Sequence, residues 1–265
     1  MSPDDLLAGV LAADEHAGGI RCLRLHELEP AFLAELQTEA DRLASRGQPS
    51  DVNDPQHVTH WVLPFGNVVQ YSLLNTSGRL DDFSDDHDAF AKGKAFAHAA
   101  DHRAMAVFLN LFPDAVNCRL NVMAPASGLS PHEEHVLTYA PDGAVVAKLR
   151  FHLPLRTNPE ATLVLDEQVF TLETGVVHLV NHGCVHAAAN RGPEPRTHLV
   201  WDMILTRQTF DLMFGDEDSP APLRRIPQDR RAPTPIGSQR QGAVRRLPPP
   251  VAAHDRARVA LAAPW

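Results

Sequence analysis

From Ala115 onward the chain breaks into short apolar runs rich in β-branched residues, and this texture constrains the fold more than any other feature of the sequence. The runs are VNCRLNVMA, HVLTYA, VVAKLRFHLPL, ATLVL, QVFTL, GVVHLVN and THLVWDMIL. Between them stand turn formers: Ala126-Ser127-Gly128, Pro141-Asp142-Gly143, Asn158-Pro159 and Arg191-Gly192-Pro193. About seven to eight short strands at this spacing predict a mainly β, double-sheet jelly roll, in other words a double-stranded β-helix.

Helices are expected only as support at the front. Residues Pro30 to Arg46 (PAFLAELQTEADRLASR) have apolar residues at helical spacing, Pro at the first turn and Gly47 just past the end. Thr59 to Phe65 and Val68 to Leu74 read as strands around a turn at Gly66-Asn67, and Asp88 to Phe112 as one or two helices. The expected organisation is an N-terminal helical and β extension over residues 1–114 that packs on the core. A jelly-roll core over 115–215 and a Pro/Arg-rich tail over 216–265, extended or partly disordered, complete it.

Charge is unevenly distributed. Ser219 to Trp265 holds nine Arg, no Lys and two acids, for a charge of +7, which leaves −16 on the body before it. An acidic body argues against nucleic acid as the main ligand, because phosphate binding needs a basic face. Three widely spaced cysteines (Cys22, Cys118, Cys184) form neither a disulfide framework nor a thiolate zinc site, and no apolar run reaches the ~18 residues of a membrane span. The N-terminus MSPDDLLAGVLAADEH lacks the basic start of a signal peptide. The expectation is a cytoplasmic protein that binds a small molecule, with its oligomeric state open.

Fifteen histidines point to the chemistry, since His is the commonest metal ligand and the commonest general acid or base. Two groups stand on the β-rich part: Pro131-His132-Glu133-Glu134-His135, and His178 to His186 in VVHLVNHGCVHAAANRG. On a regular strand His132 and Glu134 share one face while Glu133 and His135 share the other. One imidazole and one carboxylate, joined by a distant His, make a two-His-one-carboxylate set that leaves positions open on iron. Arg196, ten residues after His186, can offer a guanidinium fork to a ligand carboxylate.

Three segments, NCRLNVMAPASGLSPHEEH, RFHLPLRTNP and VVHLVNHGCVHAAANRGPEPRTHLVWDM, resemble in order the iron(II)- and 2-oxoglutarate-dependent dioxygenases of the aspartyl/asparaginyl hydroxylase-like group, which includes small bacterial amino-acid hydroxylases. The resemblance runs from about Asn117 to Met203. It implies that His132, Glu134 and His186 hold Fe(II), and that Arg196 pairs with the remote carboxylate of the co-substrate 2-oxoglutarate, with O2 as second co-substrate. Arg150 and His152, two apart and hence on one face, are implied as further co-substrate contacts or as supports for the ligands, and His198 as a core histidine that can also touch co-substrate.

Glu134 stands where most members of that group have Asp, and an acidic residue there implies hydroxylation over halogenation; His178 stands where an aromatic residue is common. The implied reaction is hydroxylation of an unactivated C–H bond of a small amine-bearing metabolite, a free amino acid first. Asp81, Asp82, Asp85, Asp86 and Asp88 could attract the amine, although a solvated loop is the plainer reading, and His60 and Trp61 could form pocket walls. Two alternatives stand beside it: a cupin-type metal enzyme with a further His ligand such as His135 and no use of 2-oxoglutarate, and a hydroxylase of a carrier-bound or peptide substrate.

Overall fold

The computed structural model describes residues 1–12, 19–46, 50–51, 68–86, 88–215, 219–239, 255 and 259. In chain order the elements are α1 (Pro3–Ala12), β1 (Cys22–Leu28), α2 (Pro30–Arg46), β2 (Ser50–Asp51), β3 (Val68–Ser72), α3 (Arg103–Asn110), β4 (Ala115–Met123), β5 (Ser127–His132) and β6 (Leu137–Tyr139). Then come β7 (Val145–Arg156), β8 (Ala161–Leu165), β9 (Gln168–Phe170), β10 (Val176–Val180), β11 (His186–Asn190), β12 (Arg196–Ile204), α4 (Arg207–Phe214), β13 (Leu223–Arg225) and β14 (Gly237–Ser238).

Two antiparallel sheets face each other as a jelly roll. The larger has the order β13-β1-β10-β7-β12-β4-β3-β2, with β6 also paired to β7, and the smaller has the order β14-β9-β8-β11-β5. Period-two alternation divides the larger sheet into two unlike faces. Outward go Leu120, Phe151, Leu153, Leu179, Leu199 and Trp201, which form the main core with Leu36, Ala40 and Leu43 of α2, Met105 and Phe108 of α3, and Phe210 and Phe214 of α4. Trp201 anchors this layer, its ring 4.8 Å from Phe112, 5.3 Å from Phe108 and 5.6 Å from Phe151. Residues of the other parity on the same strands include Arg119, Asn121, Arg150, His152, Arg196 and Val200, which line the space between the sheets. A second apolar cluster of Met123, Leu129, Leu163, Leu165, Phe170, Val180 and Ala188 seals that space.

The front of the chain departs from its helical reading. Residues 88–102 form turns, and α3 begins only at Arg103. Tertiary bonds override the periodicity there: Ala95 bridges to Asn75, Gly93 takes a φ of +83°, and the Lys94 ammonium donates to the carbonyls of Asp85, Asp88 and Val116. The helix over Pro30–Arg46 and the strand from Val68 form as expected, whereas Thr59 to Phe65, with His60 and Trp61, lies outside the described residues. Of the Pro/Arg-rich segment, β13 pairs with β1 and β14 with β9, so residues 219–239 run along the edge of both sheets. No helix among the described residues is long and apolar enough to cross a membrane.

Candidate active site

His132 ends β5 and His186 starts β11; the two strands pair with these residues directly opposite each other, and the ring centroids lie 4.2 Å apart. His132 Nδ1 donates to the Ser130 carbonyl at 2.7 Å and His186 Nδ1 to the Cys184 carbonyl at 2.9 Å. A carbonyl can only accept, so both rings are held as the tautomer whose Nε2 lone pair is free, which is how a metal-ligating His is commonly oriented. Burial lowers the pKa of His132, and burial followed by the neighbouring His132 lowers that of His186 further, so both are neutral at pH 7. One ligand atom from each of His132, Glu134 and His186 falls within 4.8 Å of the other two, which makes this a candidate metal site of two imidazoles and one carboxylate.

Glu134 reaches the cluster by a route that regular alternation does not describe. β5 stops at His132, and Glu133 to His135 continue without strand pairing, tied down by the Glu134 N–H donating to the His182 carbonyl at 2.9 Å. His182 is buried, at 1% exposure, and its Nε2 donates to the His135 carbonyl at 3.2 Å. His135 is outside the candidate metal group, so the site offers no third histidine from this segment.

Behind Glu134 stands Arg150, on β7. Its Nη2 donates to Glu134 at 2.8 Å, its Nη1 donates to the other carboxylate oxygen, and its Nε and Nη2 donate to Asp202 at 2.8 and 2.9 Å. Asp202 sits directly across from Arg150 on β12. Burial alone would raise the pKa of both acids, but Arg150 overrides it and holds them well below the carboxylate range. The carboxylate of Glu134 is thus ionised and its rotamer fixed. The contacts of Arg150 are those of a support for the ligands: four of its five N–H donors already go to Glu134 and Asp202.

Arg196 differs in kind. It is 95% buried, and its two closest contacts are the ring nitrogens of His198, 3.0 Å from Nε and 2.9 Å from Nη2. His198 is neutral, its pKa driven well below the ordinary value by burial and by Arg196, and a neutral imidazole can accept only one of these bonds. No acid pairs with Arg196 among the described residues, and burial pulls its pKa down to about 10. The guanidinium therefore stands in a water-poor site with a fork that suits a carboxylate. His152 lines the same cavity with Nδ1 buried and unpartnered, and its ring lies edge-on to His198 at 5.9 Å. His178 is opposite His152 on β10, buried, with Nδ1 bonded to the Val176 carbonyl.

The cavity between the sheets is lined by Gln70, Arg119, Asn121, Leu129, His132, Arg150, His152, Leu163, Val180, His186, Ala188, Arg196 and Val200. Its free volume is about 50 Å³, so a dicarboxylic acid enters only if a wall side chain moves. The donor set fits iron and 2-oxoglutarate: a neutral His pair, an ionised carboxylate, and an arginine that lacks an acid.

The acidic loop is a correction. Asp86 is 98% buried and ion-paired to Arg119, Asp85 accepts from the Thr76 N–H and hydroxyl, and Asp81 pairs with Arg79. Asp81 and Asp86 are thus matched by arginines, while Asp82, Asp85 and Asp88 accept from neutral groups of the loop itself, so the five acids do not converge as one cluster. Sequence reasoning passed over Gln70, Arg119, Asn121 and Asp202. The available signal was polar residues at alternate positions of strands that are otherwise apolar, as in RLN and RTHLVWD.

Residues 93–205 match the family model described as aspartyl/asparaginyl beta-hydroxylase. No curated protein matches the chain in sequence. Among solved structures, it is similar to a 2OG-Fe(II) oxygenase family oxidoreductase from Burkholderia pseudomallei (16% identity over 74% of this chain and 88% of that one, TM-score 0.39). It is also similar to a Pseudomonas putida prolyl-4-hydroxylase (15% identity, 75% and 98%, TM-score 0.40) and to SnoN, a non-heme alpha ketoglutarate dependent epimerase from nogalamycin biosynthesis (14%, 87% and 98%, TM-score 0.43). The family match spans the whole His/Glu/His cluster and Arg196, so over residues 93–205 the chain is similar to the aspartyl/asparaginyl beta-hydroxylases.

Proposed function

We propose that the protein hydroxylates an unactivated carbon of a free amino acid, with His132, Glu134 and His186 holding Fe(II) and Arg196 binding the remote carboxylate of 2-oxoglutarate. One observation carries the reading: both histidines of a His/Glu/His cluster and an arginine without an acid line the same cavity. Iron with 2-oxoglutarate and O2, when bound, supplies the oxidising power that inserts one oxygen atom into a C–H bond and releases succinate and carbon dioxide.

The chain's own residues prepare that chemistry. The carbonyls of Ser130 and Cys184 keep the Nε2 atoms of the two histidines open, and Arg150 keeps Glu134 ionised and aimed. His152 and His198 are neutral donors or acceptors beside the co-substrate site, and Leu129, Leu163, Val180 and Ala188 exclude water. Residues 115–215 form the catalytic core in this reading, with β1 and β3 extending its larger sheet from the front of the chain.

The test is incubation with iron, ascorbate, 2-oxoglutarate and the common amino acids. Succinate is expected together with a product heavier by the ~16 mass units of one oxygen atom, and His132→Ala should abolish both. Succinate formation that survives His132→Ala unchanged would refute the metal assignment.

A further inference from the structure

Arg196 stands on the larger sheet, whereas His132 and His186 stand on the smaller one, so the distance from the arginine to the two histidines depends on how the sheets are tied together. At the end where β12 begins, two asparagine side chains tie them. Asn190 ends β11 and is fully buried. Its Nδ2 donates to the carbonyls of Met123 and Ala124, at 3.1 and 3.2 Å, and to that of Glu194, at 2.8 Å. Met123 is directly opposite Arg196 on β4, and Glu194 precedes Arg196 by two residues. One amide on the sheet of the histidines thus grips both backbone segments that locate the arginine.

Asn158, in the turn between β7 and β8, completes the clasp. Its Nδ2 donates to Asn190 Oδ1 at 3.0 Å and to the Glu194 carbonyl at 3.2 Å, and its Oδ1 accepts from the Glu160 N–H at 3.0 Å. The loop that leads into β12 needs this outside support. Arg191, Pro193, Glu194 and Pro195 are exposed, and the two prolines have no N–H with which to close a turn. Gly192 is buried against Asn158, and a Cβ there would come within 2.2 Å of Asn158 Oδ1. Its φ is not positive, so close approach rather than backbone conformation calls for the missing side chain. These three residues lie outside the cavity lining and act through Arg196.

We propose that Asn190, Asn158 and Gly192 are positioning residues that set the reach from Arg196 to the metal ligands and thereby select the chain length of the dicarboxylic keto acid. The assignment rests on the co-substrate reading of Arg196 and extends it to the groups that hold the arginine in place. A keto acid held by the metal at one end and by the guanidinium at the other spans a fixed distance. One methylene more carries its remote carboxylate off the fork, whose two parallel bonds demand geometry as well as charge. Once the clasp is loosened, the start of β12 shifts and the discrimination fades.

Anaerobic calorimetry on the full-length protein with manganese(II) tests the assignment, the probes being 2-oxoglutarate and its one-methylene-longer homologue 2-oxoadipate. Asn158→Asp keeps the shape and the acceptor for Glu160 but removes both donors of the clasp, and Gly192→Ala pushes on the Asn158 amide without straining φ. The unmodified protein should bind 2-oxoglutarate at least tenfold more tightly than 2-oxoadipate. Both variants should bind 2-oxoglutarate at least tenfold more weakly than the unmodified protein and lose most of the preference for it. Their affinity for manganese(II) alone should stay within twofold, because the three ligands are untouched.

Unchanged affinity for 2-oxoglutarate in either variant would overturn the assignment, as would an unmodified protein that binds both keto acids alike. Equal weakening of the two keto acids, or manganese(II) affinity that falls in step with 2-oxoglutarate affinity, would show general loosening of the fold and overturn it too. Failure of the unmodified protein to bind 2-oxoglutarate refutes instead the function on which the assignment rests.

Discussion

Replacing Arg196 by Met should stabilise the ligand-free protein while destroying its response to 2-oxoglutarate. Burial has pulled the guanidinium from 12.5 down to about 10, with no acid to offset the cost. A difference of about 2.5 pH units corresponds to ~3 kcal/mol of charge burial, at 1.36 kcal/mol per unit. Met fills similar space without charge, and loses one hydrogen bond to His198 worth about 1 kcal/mol. The net expectation is a gain of about 2 kcal/mol, or roughly 4–8 °C in Tm for a chain of this size.

Ligand reverses the order. At 100 times its Kd, 2-oxoglutarate adds about 2.7 kcal/mol to any protein that binds it only when folded. The unchanged protein should show that shift in the presence of manganese(II), and Arg196→Met should show almost none. Differential scanning fluorimetry with and without 2-oxoglutarate reads both effects in one plate. A variant that melts lower than the parent without ligand and still shifts upward with 2-oxoglutarate would refute the argument that Arg196 awaits a carboxylate.

Three further outcomes can be measured independently. His186→Ala should lower manganese(II) affinity at least 100-fold in calorimetry with little change in metal-free Tm, and unchanged affinity would remove His186 from the site. Asp202→Asn should cost about 3–5 kcal/mol at pH 7, because it takes away one of the two acids that neutralise a fully buried Arg150. Because Arg150 holds the Asp202 carboxyl below its unfolded value of about 3.9, that difference is complete above pH 4 and shrinks as pH falls further; urea unfolding at pH 7, 4 and 3 should show the gap closing, and a constant gap would refute the pairing. Truncation after residue 218 removes β13 with the buried Leu223 and Ile226, and at about 1.5–3 kcal/mol per buried aliphatic side chain it should lower stability by ~3–6 kcal/mol; an unchanged Tm would show that this edge contributes nothing.

Much of this protein was legible before any coordinates. The alternation in β4, β7 and β12 is a local property of the chain, because a strand with apolar residues of one parity must bury that face. Turn formers at Pro141-Asp142-Gly143 and Asn158-Pro159 likewise act within a few residues, and they bound β6, β7 and β8 as expected. His132 and His186 could be singled out by type and by the resemblance of their segments. β11 escaped, since HAAAN carries helix-favouring alanines and becomes a strand only because β5 and β8 pair with it on either side.

What the tertiary structure decided is which charges are already matched. Arg119, Arg150 and Arg196 are alike in sequence, each an arginine in an apolar strand. Across the sheets the first meets Asp86, the second meets Glu134 and Asp202, and the third meets only a neutral imidazole. Pairing depends on register between segments 16 to 52 residues apart and on the irregular path of Glu133 to His135, and no local pattern encodes either. In the low dielectric between the sheets an unmatched charge is costly, and the proposal that Arg196 binds a carboxylate rests on the position of that one charge.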